Sequence, residues 1–133
     1  MAKRILIADD SPFWRERFRA VLERDPSYDV FEAGDGSEAV QKSMKFHPDL
    51  VVLDYAMPVL DGLGAARELK RTMPKLPVVL CTADKSVCLE EIARESGVPA
   101  VFAKTDWPDM LSFIRQKLYP GRGAQESYQP TVA

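Results

Sequence analysis

The sequence predicts a doubly wound α/β fold, a parallel sheet with helices on both faces. Three observations predict it. Short β-branched apolar runs alternate five times with segments of helical periodicity. Three of those runs are apolar throughout, which suits strands covered on both sides. Cap and turn residues, among them Ser11-Pro12, Asp61-Gly62 and Gly97, stand at the ends of the helical segments. A chain of 133 residues, 46% hydrophobic and 29% charged, is one domain of ordinary size and not a disordered polymer. It is long enough to bury about two-thirds of its unfolded surface without staples.

The first run is Ile5-Leu6-Ile7-Ala8. Behind it, Trp14, Phe18, Val21 and Leu22 follow i, i+4, i+7, i+8, and Ser11-Pro12 supplies an N-cap with proline in the first turn. The second run, Val30-Phe31 within residues 28–33, is more polar and suits a sheet edge. A helix from Gly36 to about His47 places Ala39, Val40 and Met44 on its apolar side. The third run is Leu50-Val51-Val52-Leu53; after Asp61-Gly62, a third helix spaces Leu63, Ala66, Leu69 and Met73 three to four apart. Val78-Val79-Leu80-Cys81 precedes a helix from about Ser86 to Ser96 that carries Cys88, Leu89, Ile92 and Ala93 and stops at Gly97. Ala100-Val101-Phe102-Ala103 leads into a helix from about Thr105, with Met110, Leu111, Ile114 and Leu118 on one stripe. Each stripe is read as core packing.

The (βα)5 pattern implies right-handed crossovers and, for five strands, the flavodoxin-like order 2-1-3-4-5. The domain is expected over residues 3–118, followed by a flexible tail over residues 119–133 in which Pro120, Gly121, Gly123 and Pro130 break any periodicity.

The charge balance, 18 Lys and Arg against 20 Asp and Glu, leaves a net charge of -2 and no footprint for direct nucleic-acid or acidic-membrane binding. Cys81 and Cys88 are too few for a disulfide framework and lack C-x-x-C spacing. The apolar run behind Lys3-Arg4 is too short for a signal peptide, and no stretch approaches the roughly 18 apolar residues of a membrane span. A cytoplasmic protein is expected.

In open α/β sheets, ligands bind beyond the carboxyl ends of the strands where the strand order reverses, here between strands 1 and 3. Strand 1 ends in Asp9-Asp10 and strand 3 in Asp54. Three convergent carboxylates repel one another unless a cation sits among them, and hard oxygen donors with room for water suit Mg²⁺. Strand 4 ends in Thr82, a hydroxyl donor, and strand 5 in Lys104, a compact cation. An acidic metal site flanked by a hydroxyl and an ammonium is suited to receive a phosphoryl group, with one carboxylate as nucleophile.

Asp9-Asp10, the run Asp54-Tyr55-Ala56-Met57-Pro58-Val59-Leu60-Asp61-Gly62, the pair Thr82-Ala83 and Lys104 together resemble the receiver domain of two-component response regulators, over residues 3–118. The resemblance implies that Asp54 is the phosphoacceptor. It implies that Asp10, Asp54 and the backbone carbonyl of Ala56 bind Mg²⁺, with Asp9 acting through water, and that Thr82 and Lys104 contact the phosphoryl oxygens. The implied donor is a phosphohistidine on a sensor histidine kinase or phosphotransfer protein, and the receiver catalyses only its own phosphorylation and dephosphorylation. A monomer or weak dimer acting through protein contacts is expected, apparently a stand-alone receiver if the chain is complete. The family's usual partner face, helix 4, strand 5 and helix 5, includes Val87, Leu89, Trp107 and Phe113 here.

Two positions depart from the family pattern. Val101 stands where an aromatic switch residue is usual, and period-2 alternation points Phe102 to the other face. Thr105 stands where a cis proline is usual, so either a trans bond with a shifted helix entrance or a costly non-prolyl cis bond is expected. Ala56 and Asp84 occupy positions that tune phosphoryl lifetime in the family. His47, Trp14, Trp107 and Cys81 are read as structural, and Cys88 as lacking a redox role.

The stretch Gly62-Leu63-Gly64-Ala65-Ala66-Arg67 is not a dinucleotide fingerprint, because it lacks the third small residue and does not follow a strand directly. A haloacid-dehalogenase-type enzyme would need D-x-D where Asp54-Tyr55-Ala56 stands, and a flavin carrier would need a Ser/Thr/Gly-rich loop where Asp9-Asp10-Ser11 stands. The remaining alternative is a degenerate receiver that binds its partner constitutively, without phosphorylation.

Overall fold

The computed structural model describes residues 2–83 and 85–121. Its elements alternate as β1 (Lys3–Ala8), α1 (Pro12–Leu22), β2 (Tyr28–Ala33), α2 (Gly36–Phe46), β3 (Leu50–Asp54), α3 (Gly62–Thr72), β4 (Val78–Thr82), α4 (Val87–Glu95), β5 (Ala100–Ala103) and α5 (Trp107–Leu118). The five strands form one parallel sheet in the order β2-β1-β3-β4-β5, as the alternation predicts. The polar second run does form an edge.

Strand parity divides the core into two layers. Leu6, Ala8, Val51, Leu53, Leu80 and Val101 pack with α2, α3 and α4 on one face. Ile5, Ile7, Leu50, Val52, Val79 and Cys81 pack with α1 and α5 on the other. Both faces of the central strands are therefore dry, which is why these runs carry no polar alternation.

The sheet edge is closed by side chains. Lys3 N–H donates to Ser27 O and Asp9 N–H to Ala33 O, so the alternate carbonyls of β2 face outward. Two of these accept from long basic residues, Arg19 Nη2 to Val30 O at 2.9 Å and Lys42 Nζ to Glu32 O at 2.6 Å. Glu32 also holds Arg15 at 3.0 Å and Arg19 at 2.6 Å. Covering an edge in this way discourages pairing with another chain.

Four helices begin at the carboxyl end of the sheet with a side-chain cap. Ser11 Oγ accepts from Trp14 N–H at 3.4 Å, Asp35 from Glu38 N–H at 2.8 Å, Asp61 from Gly64 N–H at 2.7 Å and Ser86 from Leu89 N–H at 3.1 Å. The fifth, α5, starts at Trp107 rather than near Thr105, and Asp106 makes no side-chain cap bond. The Lys104–Thr105 peptide is trans, the first of the two bond geometries expected there.

Three expectations need correction. Met44 does not face the core: it is 54% exposed, and Ser43 is buried in its place. On α4, Leu89 and Ala93 are buried while Cys88 and Ile92 are exposed. A stripe read from apolar residues alone is too wide here, because α4 is short and lies at the sheet's margin. Leu89, placed among partner-face residues, belongs instead to the core; Val87 is exposed, and Trp107 and Phe113 are half-buried. As the alternation predicts, Phe102 leaves Val101's face and packs edge-on against Phe113, with ring centroids 5.6 Å apart. His47 caps α2 in the left-handed region at φ 50°, exposed, consistent with a structural residue.

The Ser43 hydroxyl is fully buried and has no hydrogen-bond partner among the described residues. Leaving a buried hydroxyl unpaired costs free energy that an alanine does not incur. Ser43→Ala is therefore expected to stabilise the fold by about 1 kcal/mol, read as a higher urea midpoint at unchanged slope.

Candidate functional site

The same parity that builds the core builds the site. Asp9 continues the Ile5, Ile7 side of β1, Asp54 the Leu50, Val52 side of β3, and Lys104 the Phe102 side of β5. All three thus project toward the α1/α5 face at the strands' carboxyl ends. Thr82, one position beyond Cys81 on β4, projects the other way.

Lys104 is the centre of the cluster. Its ammonium lies 2.8 Å from Asp9 Oδ2 and 3.3 Å from Asp54 Oδ2, and all three residues are buried. Burial works against charge on Lys104, but Asp9 and Asp54 together outweigh it and hold its pKa above the ordinary lysine value. For Asp54, burial and then the neighbouring Asp9 charge dominate over Lys104, and its pKa is pushed up to about 6. Asp9 is further fixed by Ser11 N–H, which donates to Oδ1 at 2.9 Å, and by Arg15, whose Nη1 donates to the Asp9 carbonyl at 2.6 Å.

Asp9, Asp10 and Asp54 each bring a carboxylate oxygen within 4.8 Å of the others. Oxygen ligands on an octahedral Mg²⁺ lie roughly 3 to 4 Å apart, so a small contraction, or one ligand acting through water, fits that ion to this donor set. Asp10 is exposed at the rim, whereas Asp9 and Asp54 are buried. Asp10, Asp54, Ala56, Thr82 and Lys104 all line one cleft of about 810 Å³ above the cluster. The sequence-derived residues are thus brought together, with Asp9 directly beneath. Asp84 lies outside the described residues, as does the expected tail from residue 122 onward.

The loop between β3 and α3 forms the near wall. Val59 has φ 68°, and Leu60 N–H donates to Pro58 O at 2.7 Å across it, a tight turn that β-branched residues rarely adopt. The turn returns the chain so that Gly62 N–H donates to Tyr55 O at 2.8 Å. Gly62 has to be glycine: a Cβ there would lie 2.3 Å from the Asp54 carbonyl oxygen. This contact, not phosphate binding, accounts for the glycine in the discarded dinucleotide-like stretch.

Sequence reasoning missed parts of the cleft. Ser86, Cys88, Leu89 and Ile92 of α4 form one wall, and Trp14 of α1 stands on the opposite side, with Lys104 Nζ 5.2 Å from its ring centroid. A signal for Trp14 was available, since it lies one helical turn beyond Asp10 on a helix that starts at the site. Cys81 lies beside Asp54, paired with it across β3 and β4, and burial pushes its thiol up to about 12, so it is inert core.

Comparison with known proteins agrees with this geometry. The model of the response regulator receiver domain family matches residues 5–115. Protein-glutamate methylesterase/protein-glutamine glutaminase of Alkalilimnicola ehrlichii is 41% identical in an alignment spanning all of this chain and 37% of that protein. Chemotaxis protein CheY of Bacillus subtilis is 39% identical over 62% of this chain and 69% of its own length. The crystal structure of the response regulator domain of Thermotoga maritima CheB superposes with a TM-score of 0.81 over 89% of this chain and 97% of that one, at 24% identity, which speaks to the fold alone. This chain spans well under half the length of the methylesterase relative. Receiver domains work with sensor kinases or phosphotransfer partners and generally bind Mg²⁺ at an acidic cluster of the kind formed by Asp9, Asp10 and Asp54. With its fold, strand order and matched span agreeing, the chain belongs to the response regulator receiver domain family.

Proposed function

We propose that this receiver takes a phosphoryl group onto Asp54 from a phosphohistidine of a sensor histidine kinase or phosphotransfer protein, and thereby switches its contact with a partner protein. The observation that carries the reading is Asp54 on the floor of the cleft, 3.3 Å from Lys104, with Asp9 and Asp10 beside it. Above its pKa of about 6, Asp54 is the ionised carboxylate that nucleophilic attack requires. In the step, an Asp54 carboxylate oxygen forms the new P–O bond, the P–N bond of the donor breaks, and the leaving imidazole takes up a proton.

Asp10, Asp54 and the Ala56 carbonyl would hold Mg²⁺, with Asp9 acting through water. When bound, the ion neutralises charge on the phosphoryl oxygens. The Lys104 ammonium then moves from the carboxylates to a phosphoryl oxygen, and the Thr82 hydroxyl donates to another. Ala56, small and exposed at the rim, leaves the product open to hydrolysing water. The transferred group adds about -1.5 to -2 charge and three acceptor oxygens at neutral pH. Drawing Thr82 toward it shifts the loop leading to α4 and, with it, the partner face that exposes Val87. The reaction changes this chain alone, so it acts as a switch rather than an enzyme on other substrates, and we place it in the cytoplasm. Among the described residues no helix is long and apolar enough to cross a membrane.

Intact mass after incubation with Mg²⁺ and acetyl phosphate tests the reading. A gain of one phosphoryl group that needs both Mg²⁺ and Asp54, and is absent from Asp54→Asn, is the expected result. No gain from the small donor or from a phosphohistidine protein, together with no Mg²⁺ binding, would instead favour the constitutive, unphosphorylated binding module. Val101 in place of the usual aromatic residue gives that alternative its footing.

A further inference from the structure

We propose that Trp14 is a positioning residue for Lys104: its indole face holds the ammonium at the cleft and aims it at the group arriving on Asp54. The inference rests on the phosphoacceptor reading of Asp54 and extends it to a side chain outside the acidic motif. Lys104 Nζ lies 5.2 Å from the centroid of the Trp14 ring, within cation–π range, and both residues line the cleft. The contact follows from the architecture. Lys104 lies on the sheet face covered by α1 and α5, and Trp14 stands on the first turn of α1, whose start is capped by Ser11.

The indole is braced by the buried Phe18 and touched by Phe13, which is itself exposed. Phe18, 4% exposed, stacks on it with centroids 5.7 Å apart, and Phe13 meets it edge-on at 5.5 Å. A ring held this way is a fixed surface rather than a mobile one.

A fixed π-face matters because Lys104 has two tasks. Before transfer, its ammonium satisfies Asp9 and Asp54 at 2.8 and 3.3 Å. On transfer it must leave Asp54 and meet a phosphoryl oxygen without escaping into solvent along its four-carbon stem. The indole attracts the cation from the flank, does not compete as a hydrogen-bond acceptor, and keeps water away from one side of it. The rotamers open to Lys104 are reduced before the phosphoryl group arrives, which is the form of preorganisation that speeds charge stabilisation.

The test compares the wild type with Trp14→Phe, which keeps a π-face, and Trp14→Leu, which keeps apolar bulk without one. Three quantities are measured: the phosphorylation rate constant at saturating acetyl phosphate, the Mg²⁺ dissociation constant by calorimetry, and the Lys104 ε-methylene proton shift by NMR. The proposal expects about a fivefold slower rate in Trp14→Leu and less than a twofold loss in Trp14→Phe. Mg²⁺ affinity should be unchanged in both, since neither residue is a ligand, and this also shows that the site remains folded. The ε-methylene protons should lie upfield through the ring current in the wild type and Trp14→Phe, and at their ordinary position in Trp14→Leu.

Equal losses in both variants, or none in either, would overturn the proposal, as would an ordinary ε-methylene shift in the wild type. The NMR comparison needs no phosphate. A wild type that takes no phosphoryl group from acetyl phosphate or from a phosphohistidine protein and binds no Mg²⁺, yet shows the upfield shift, would therefore overturn the acceptor reading and leave the Trp14–Lys104 contact standing.

Discussion

Asp54→Asn is expected to make the metal-free protein more stable at pH 7, by about 2 kcal/mol, and, under the function proposed above, to take no phosphoryl group. The reason is the direction of the Asp54 shift, from an ordinary 3.8 up to about 6 through burial and the adjacent Asp9 charge. A carboxyl whose folded pKa is raised binds its proton more tightly in the native state than in the unfolded chain. Its ionisation therefore costs stability as pH rises from about 4 to about 6, and the cost persists at higher pH. Asparagine has the same shape, carries no charge to repel Asp9, and still offers Lys104 an oxygen.

Urea unfolding in chelator between pH 4 and 8 checks this. The gap between variant and wild type should be full above pH 6 and close as pH falls toward 4. A variant less stable than wild type at pH 7 would mean that the Lys104 attraction outweighs burial and repulsion. Adding Mg²⁺ should reverse the order, because a ligand that binds only the folded state at a hundredfold its dissociation constant contributes about 2.7 kcal/mol. The variant, lacking one of the carboxylates proposed to hold the ion, gains less. On this account the free protein carries an unfavourable cluster that metal and phosphoryl group relieve.

Gly62→Ala should be severely damaging to the wall of the candidate site. The new Cβ would meet the Asp54 carbonyl oxygen at 2.3 Å, and Leu80 Cδ2 and Tyr55 Cα at 2.9 Å. Two of these atoms are backbone and cannot rotate aside, so the loop must move off the end of β3. That move breaks the Gly62 N–H to Tyr55 O bond and displaces the Asp54 backbone. A loss of about 3 kcal/mol is expected, with a fall in melting temperature on the order of 10 °C and slower phosphoryl transfer. Gly64→Ala is the control. Its Cβ would approach Leu60 Cδ1 at 2.5 Å, the far end of a flexible side chain, and alanine is favoured over glycine inside a helix. The control should stay within about 1 kcal/mol of wild type. If the two variants melt alike, the backbone contact is not what requires glycine at position 62.

Much of this molecule can be read without coordinates. The alternation of apolar strands with capped helices leads to the sheet order, because parallel strands need crossovers and crossovers have one hand. Asp9-Asp10, Asp54, Thr82 and Lys104 are legible because they stand at the ends of apolar runs, and strand ends in such a sheet meet at one edge. Even the separation of Val101 and Phe102 onto opposite faces follows from a period of two. Helix stripes were less legible. Met44, Cys88 and Ile92 sit at plausible core spacing and lie exposed, since periodicity defines a stripe but only the neighbouring elements decide how much of it is covered.

The set of elements, their order, and which charged residues reach the carboxyl edge of the sheet are all legible in the residues alone. These follow from local spacing and covalent geometry. That Lys104 bridges Asp9 and Asp54, that Asp54 is pushed up to about 6, and that Trp14 faces the ammonium emerge only once the chain is folded. Those properties depend on distances of a few ångströms between residues tens of positions apart, and on how much water the packed helices leave around them. Electrostatic energy varies with separation and solvent exposure, and neither is set until the helices close over the sheet.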